Sequence, residues 1–89
     1  MGDRRRLDLR EAAERVLDGF EPKLYRQVMR RVLSLREVPE PASSEQLKNT
    51  RQDGHAVRRE RSGDYRILYY VTADTVVVLE IGDRKDVYR

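Results

Sequence analysis

The residues best equipped for chemistry in this chain are its arginines, which make up sixteen of the nineteen basic residues in a sequence of 89. A guanidinium presents a planar fork of N–H donors that grips a phosphate or carboxylate through two parallel bonds. A coding bias towards arginine would give the same total without any ligand, so distribution carries more weight than number. Lys48, Arg51, Arg58, Arg59, Arg61 and Arg66 fall within nineteen residues against three acids, whereas the first 47 residues hold ten cations against nine acids. The net charge is only +3, but a local basic face is what a polyanion meets. His55 is the one histidine, and an imidazole is a common acid–base group; no motif surrounds it, and a surface position at the start of a strand is expected. There is no cysteine, which excludes disulfides, thiolate zinc sites and cysteine nucleophiles and fits a reducing compartment. Neither a metal nor another cofactor is expected.

The elements that must position these groups can be read from apolar spacing. A short first strand is permitted over Arg4 to Leu9, with Leu7 and Leu9 on one side. From Arg10 the rhythm becomes helical: Leu9, Ala12, Ala13, Val16, Leu17 and Phe20 share one face, and Gly19 offers a stop. Pro22 suits the first turn of a second helix, whose stripe of Leu24, Val28, Met29, Val32 and Leu33 runs to about Arg36. So short a connection makes the two helices an antiparallel hairpin. The segment VPEPASSEQ then breaks the helix and crosses to the next element.

Beyond the Asp53-Gly54 turn signal the pattern is strand-like. Residues 55–61 are the weakest strand, because they are heavily charged. Residues 64–71 (DYRILYYV) and 75–81 (TVVVLEI) are rich in aromatic and β-branched types and read as a hairpin across Thr72-Ala73-Asp74. Both faces of DYRILYYV are apolar apart from Arg66, so a central position is expected. An arginine there is out of place unless it reaches solvent or a ligand. The predicted order is β-α-α-β-β-β, an α+β fold with a helical hairpin packed on a mostly antiparallel sheet, in one domain spanning 1–89. The basic N-terminus has no apolar run behind it, so neither a signal peptide nor a membrane anchor is expected, and a cytoplasmic location is.

This order, with the motifs GDYRILYYV and IGDRKDVYR, resembles the RelE/ParE superfamily of bacterial toxin–antitoxin systems. The resemblance runs nearly the full length, including the first helix with Ala13 and Leu17 and a Pro-rich crossing that ends in Leu47-Lys48. It implies the toxin of a type II system and, as partner, a RelB-like antitoxin encoded nearby. The RelE branch resembles ribosome-dependent mRNA interferases, with mRNA on the ribosome as substrate. The ParE branch resembles inhibitors of DNA gyrase. A shared fold does not choose between them.

Cleavage of RNA by a ribose 2′-OH needs a group to take its proton, a group to protonate the leaving oxygen, and cations for the charged phosphorane. The resemblance places these on the concave face of the sheet and on the C-terminal tail. Arg66 matches the strand arginine that polarises the scissile phosphate; a structural pairing with Asp64, Glu80 or Asp83 is the alternative. Arg84 matches a second phosphate-binding arginine, with Lys85 beside it as a further contact. Tyr88 matches the tyrosine that stacks on a base or assists proton transfer, although an aromatic there could also cover the core edge. Arg58, Arg59 and Arg61 compete for the cation of the preceding strand, because the spacing of RRERSGDYR differs by about one residue from the common one. Alternation puts Arg59 and Arg61 on one face and Arg58 on the other, and Arg59 is the preferred candidate. Arginine stays protonated near neutral pH and cannot be an ordinary base. Glu45, before Leu47-Lys48, resembles the base of a YoeB-like subgroup; the alternative is a solvated loop carboxylate. Lys48 is expected to touch phosphate.

Three readings therefore stand: an mRNA endonuclease, a gyrase-binding toxin without nuclease activity, and a homologue that has lost activity and survives as a binding module.

Overall fold

The computed structural model describes residues 4–83. In chain order the elements are β1 (Arg6–Leu9), α1 (Glu11–Asp18), α2 (Pro22–Ser34), β2 (Glu45–Gln52), β3 (His55–Ser62), β4 (Tyr65–Val71) and β5 (Thr75–Asp83). The five strands form one sheet in the order β1-β5-β4-β3-β2. β1 runs parallel to β5, and every other neighbouring pair is antiparallel. The expected α+β architecture is thus present, with β4 in the middle of the sheet and both helices where the spacing put them.

The strand β2 is a departure from the sequence reading, which treated the start of this segment as the end of the crossing. Its residues EQLKNTRQ are almost all exposed, so no apolar alternation marks them. β2 is an edge strand held by its ladder to β3 alone, and backbone pairing does not need an apolar face. The ladder is also interrupted between Gln46 and Arg51, and Asn49 within the gap takes φ 54°.

Both helices bury one stripe against the sheet. Acidic Glu11 and Glu14 occupy the first turn of α1 and Arg15 its last, which complements the helix dipole. Ala13 and Leu17 of α1, Val28 and Val32 of α2, and Leu35 just beyond it close on Ile67, Tyr69, Val76, Val78 and Ile81 of the sheet. Two expectations fail by a single helical step of about 100°. Ala12 is exposed next to the buried Ala13, and Leu33 is exposed next to the buried Val32. Leu35, missed in the stripe, is fully buried. Gly19 does end α1, but in a right-handed conformation (φ −89°, ψ −3°), so the left-handed freedom of glycine is not used there.

Strand alternation then fixes the other surface. Ile67 and Tyr69 point into the helical core, so Arg66, Leu68 and Tyr70 point away from the helices. A register shift between β4 and β5 sets Leu68 opposite Glu80 and Tyr69 opposite Val78, leaving Leu79 as an extra residue. This bulge keeps Val78 and Ile81 both in the core despite their odd separation. Among the described residues no helix covers the far face, and none is long and apolar enough to cross a membrane.

Candidate functional site on the open face of the sheet

Four of the candidate residues meet on the uncovered face. Arg61 lies directly opposite Arg66 in the β3–β4 ladder, and Arg59 lies opposite Leu68. Arg59 and Arg61 are two positions apart, with Glu60 between them, so both share the face of Arg66. Glu45 pairs with Arg59 across β2 and β3, and its Oε1 accepts a 2.8 Å hydrogen bond from Arg59 Nη2. The Arg59 side chain is 15% exposed and that of Glu45 63%, so the carboxylate stands at the rim with the cation tucked behind it. Arg66 is buried to 7% exposure, held between two strands and flanked by Gly82 on β5.

Arg58 goes to the other face, as alternation requires. Its Nε donates to Ser44 Oγ at 2.8 Å and its Nη2 to the Ser44 carbonyl at 3.4 Å. Tyr69 gives its hydroxyl hydrogen to the Pro39 carbonyl at 2.7 Å, so Ser44 must be the donor in its 2.8 Å contact with Tyr69. Burial pushes the Tyr69 phenol up. This network ties the 38–44 crossing to the sheet and gives Arg58 an anchoring role. Lys48 is exposed on β2, where pairing with β3 is interrupted. Arg84, Lys85 and Tyr88 lie outside the described residues.

Glu60 was not singled out by sequence reasoning, yet it is fully buried on the helix side of β3. Its Oε2 accepts from Ser43 Oγ at 2.8 Å and lies 3.9 Å from Arg31 Nη1, while its Oε1 accepts from the Arg61 backbone N–H at 2.8 Å. A charged residue inside VRRER looks like one more solvated position, and only the pairing of a buried carboxylate with such donors makes it tolerable.

A second cluster lies at the end of the sheet beside the β2–β3 turn, reached by Arg10 from the end of β1. Tyr70 donates its hydroxyl hydrogen to Asp53 Oδ2 at 2.7 Å, and Arg10 Nη2 donates to both Tyr70 Oη and Asp53 Oδ2 at 3.1 Å. The His55 ring stacks on Tyr70 with centroids 4.8 Å apart and planes 4° from parallel. His55 is therefore half-buried rather than a plain surface residue. The Tyr70 and Arg10 hydrogen bonds hold the Asp53 carboxyl below its usual range. Asp53 in turn pushes the Tyr70 phenol up, with burial adding to the effect. Arg10, Asp53 and Tyr70 are far apart in sequence, and only the turn signal at Asp53-Gly54 hinted at any one of them.

The sequence from residue 6 to 88 matches the family described as the ParE toxin of the type II toxin–antitoxin system, parDE. The chain belongs to this family. No curated protein matches it. Among solved structures, a chain of the archaeal RelE–RelB complex from Pyrococcus horikoshii superposes with a TM-score of 0.76 at 22% identity, covering 92% of this chain and 97% of that one. A chain of the Mycobacterium tuberculosis RelBE2 toxin–antitoxin complex gives 0.72 at 24% identity over 91% and 99% of the two chains. A mutant of the Escherichia coli toxin RelE in the free state gives 0.70 at 20% identity over 94% and 87%. The ParE family assignment and the RelE-like fold thus meet in one chain, and the superfamily resemblance read from the motifs holds.

Proposed function

We propose that this ParE-family toxin is a metal-independent, ribosome-dependent mRNA endonuclease that blocks translation in the cytoplasm. The observation that carries the reading is the gathering of Arg59, Arg61 and Arg66 on one uncovered sheet face with the Glu45 carboxylate among them. Arg66 and Arg61 hold the scissile phosphate and stabilise the charge that builds on it, and Glu45 takes the 2′-OH proton. The family resemblance gives Arg84 and Lys85 the role of further phosphate contacts and Tyr88 that of a base-stacking or proton-donating ring. An antitoxin like the RelB chains that accompany the RelE relatives masks these cations with acidic side chains.

Primer extension on a message under translation tests the proposal. New 3′ ends on programmed ribosomes are expected with folded wild-type protein and not with Arg66→Ala. Absence of cleavage by the wild type would end it.

The family assignment itself favours a second reading, binding and inhibition of DNA gyrase without nuclease chemistry. A supercoiling assay separates the two: the endonuclease leaves gyrase unaffected even at large toxin excess.

A further inference from the structure

A groove on the opposite side of the β3–β4 turn belongs to none of the sites above. It has a volume of about 380 Å³ and is lined by Gln27, Arg30, Arg31 and Ser34 of α2 together with Ser62 and Gly63. α2 contributes Lys23, Arg26, Arg30 and Arg31 and no acid at all from Pro22 to Ser34. Arg30 forms no ion pair among the described residues, and Arg31 has a single 3.9 Å contact to Glu60, whose oxygens already accept from Ser43 and Arg61. Gly63 forms the floor: a Cβ there would sit 2.9 Å from Gln27 Nε2, so the lack of a side chain lets the amide lie over the turn.

We infer that this groove is a second phosphate-binding site, taking the backbone of the same single-stranded RNA beyond the cleavage position. The lining residues are two arginines, a glutamine, two serines and a glycine, so the apolar part of the wall comes from their stems and backbone and no hydrophobic residue takes part. A docked peptide segment draws its affinity from apolar anchors in pockets, whereas a phosphodiester needs forked cationic donors and no apolar wall. The groove also lies at the end of the sheet where Arg61 and Arg66 emerge on the other face, with only the Ser62–Asp64 turn between. A strand leaving the open face can round this turn over the bare Gly63. Arg61 and Arg66 then hold one phosphate and Arg30 and Arg31 a later one.

The inference rests on the endonuclease reading, and the experiment reads binding apart from cleavage. The probe is a 2′-O-methyl oligoribonucleotide of mixed sequence, which lacks the attacking hydroxyl, titrated by fluorescence anisotropy over a series of salt concentrations. Arg30→Gln with Arg31→Gln is expected to weaken binding about tenfold at low salt and to flatten the log–log salt slope by about 0.7 for one lost phosphate contact on a single strand. The corresponding pair of lysine substitutions should restore most of the slope. Because Arg31→Gln touches buried Glu60, Arg30→Gln alone is measured as well and should move affinity in the same direction. Unchanged affinity and slope in both variants, or a wild type that does not bind the probe, would overturn the site. So would a loss confined to binding of an acidic antitoxin peptide, which would make the groove a carboxylate pocket. Cleavage on ribosomes is scored separately: wild-type binding without cleavage removes the nuclease reading and leaves the groove, whereas cleavage with a salt slope indifferent to Arg30 does the reverse.

Discussion

Glu45 and Arg59, fourteen residues apart in sequence, are joined by a 2.8 Å charge-assisted hydrogen bond on the sheet face that carries Arg61 and Arg66. This contact brings the one candidate base to the candidate phosphate clamp. If Glu45 takes the 2′-OH proton, Glu45→Gln should lower the cleavage rate by about 10²–10⁴-fold, the usual worth of a positioned base. A variant that cleaves at the wild-type rate would assign the proton to another group and leave Glu45 as the partner of Arg59.

Arg66 is expected to show the difference between charge and shape. Lysine keeps the cation but not the planar fork, so Arg66→Lys should remain folded and still lose about 10–100-fold in cleavage, with Arg66→Ala losing about 10²–10³-fold. Single-turnover kinetics on programmed ribosomes, beside a thermal melt of each variant, measure both effects. Equal rates for wild type and Arg66→Lys would argue that Arg66 supplies only charge.

The elements with strong apolar contrast were the ones legible in the sequence. DYRILYYV and TVVVLEI announced two strands because they are rich in aromatic and β-branched residues, and DYRILYYV announced a central one because both of its faces are largely apolar. Alternation put Arg59 and Arg61 on one face of their strand, but that Arg66 shares this face depends on the β3–β4 register, which residue types do not show. β2 was hidden because an exposed edge strand is stabilised by main-chain bonds that leave no mark on residue type. The Arg10–Asp53–Tyr70 cluster and the burial of Glu60 were hidden for a different reason: each depends on partners brought together by strand order across the sheet. Helix phase was readable to within one residue, and the misses at Ala12 beside Ala13 and at Leu33 beside Val32 are each one step of about 100°.

Gly63 combines two constraints that should be visible in stability. Its φ of 59° lies where an L side chain is strained, and a Cβ would meet Gln27 Nε2 at 2.9 Å. The backbone penalty is about 1–2 kcal/mol, and the amide must also move. Gly63→Ala is therefore expected to lower unfolding free energy by more than the backbone term alone, about 2–3 kcal/mol in urea denaturation with an unchanged m-value. Gly54, also at positive φ (82°) but with open space around its missing Cβ, should show the backbone penalty alone, so the difference between the two alanine variants reports the contact with Gln27.

The Asp53 cluster predicts a pH dependence with a definite sign. Hydrogen bonds from Tyr70 and then Arg10 hold the Asp53 carboxyl below its ordinary value of 3.8 in the folded state. A carboxyl whose pKa is depressed by folding contributes stability that is present above the unfolded value and lost as pH falls through the folded one. Tyr70 runs the other way: its phenol is raised above 10.0, chiefly by Asp53, so its contribution is present below that value and is lost as pH climbs through the raised one. Asp53→Asn keeps an acceptor for the Tyr70 hydroxyl but removes the charge facing Arg10. It should melt a few degrees below wild type at pH 7, and the gap should close once the solution is more acidic than the folded Asp53 carboxyl. Calorimetric melts between pH 2 and 8, with an NMR titration of the Asp53 carboxyl, measure both parts. A folded-state midpoint at or above 3.8, or a gap that widens in acid, would show that Arg10 and Tyr70 do not stabilise the carboxylate.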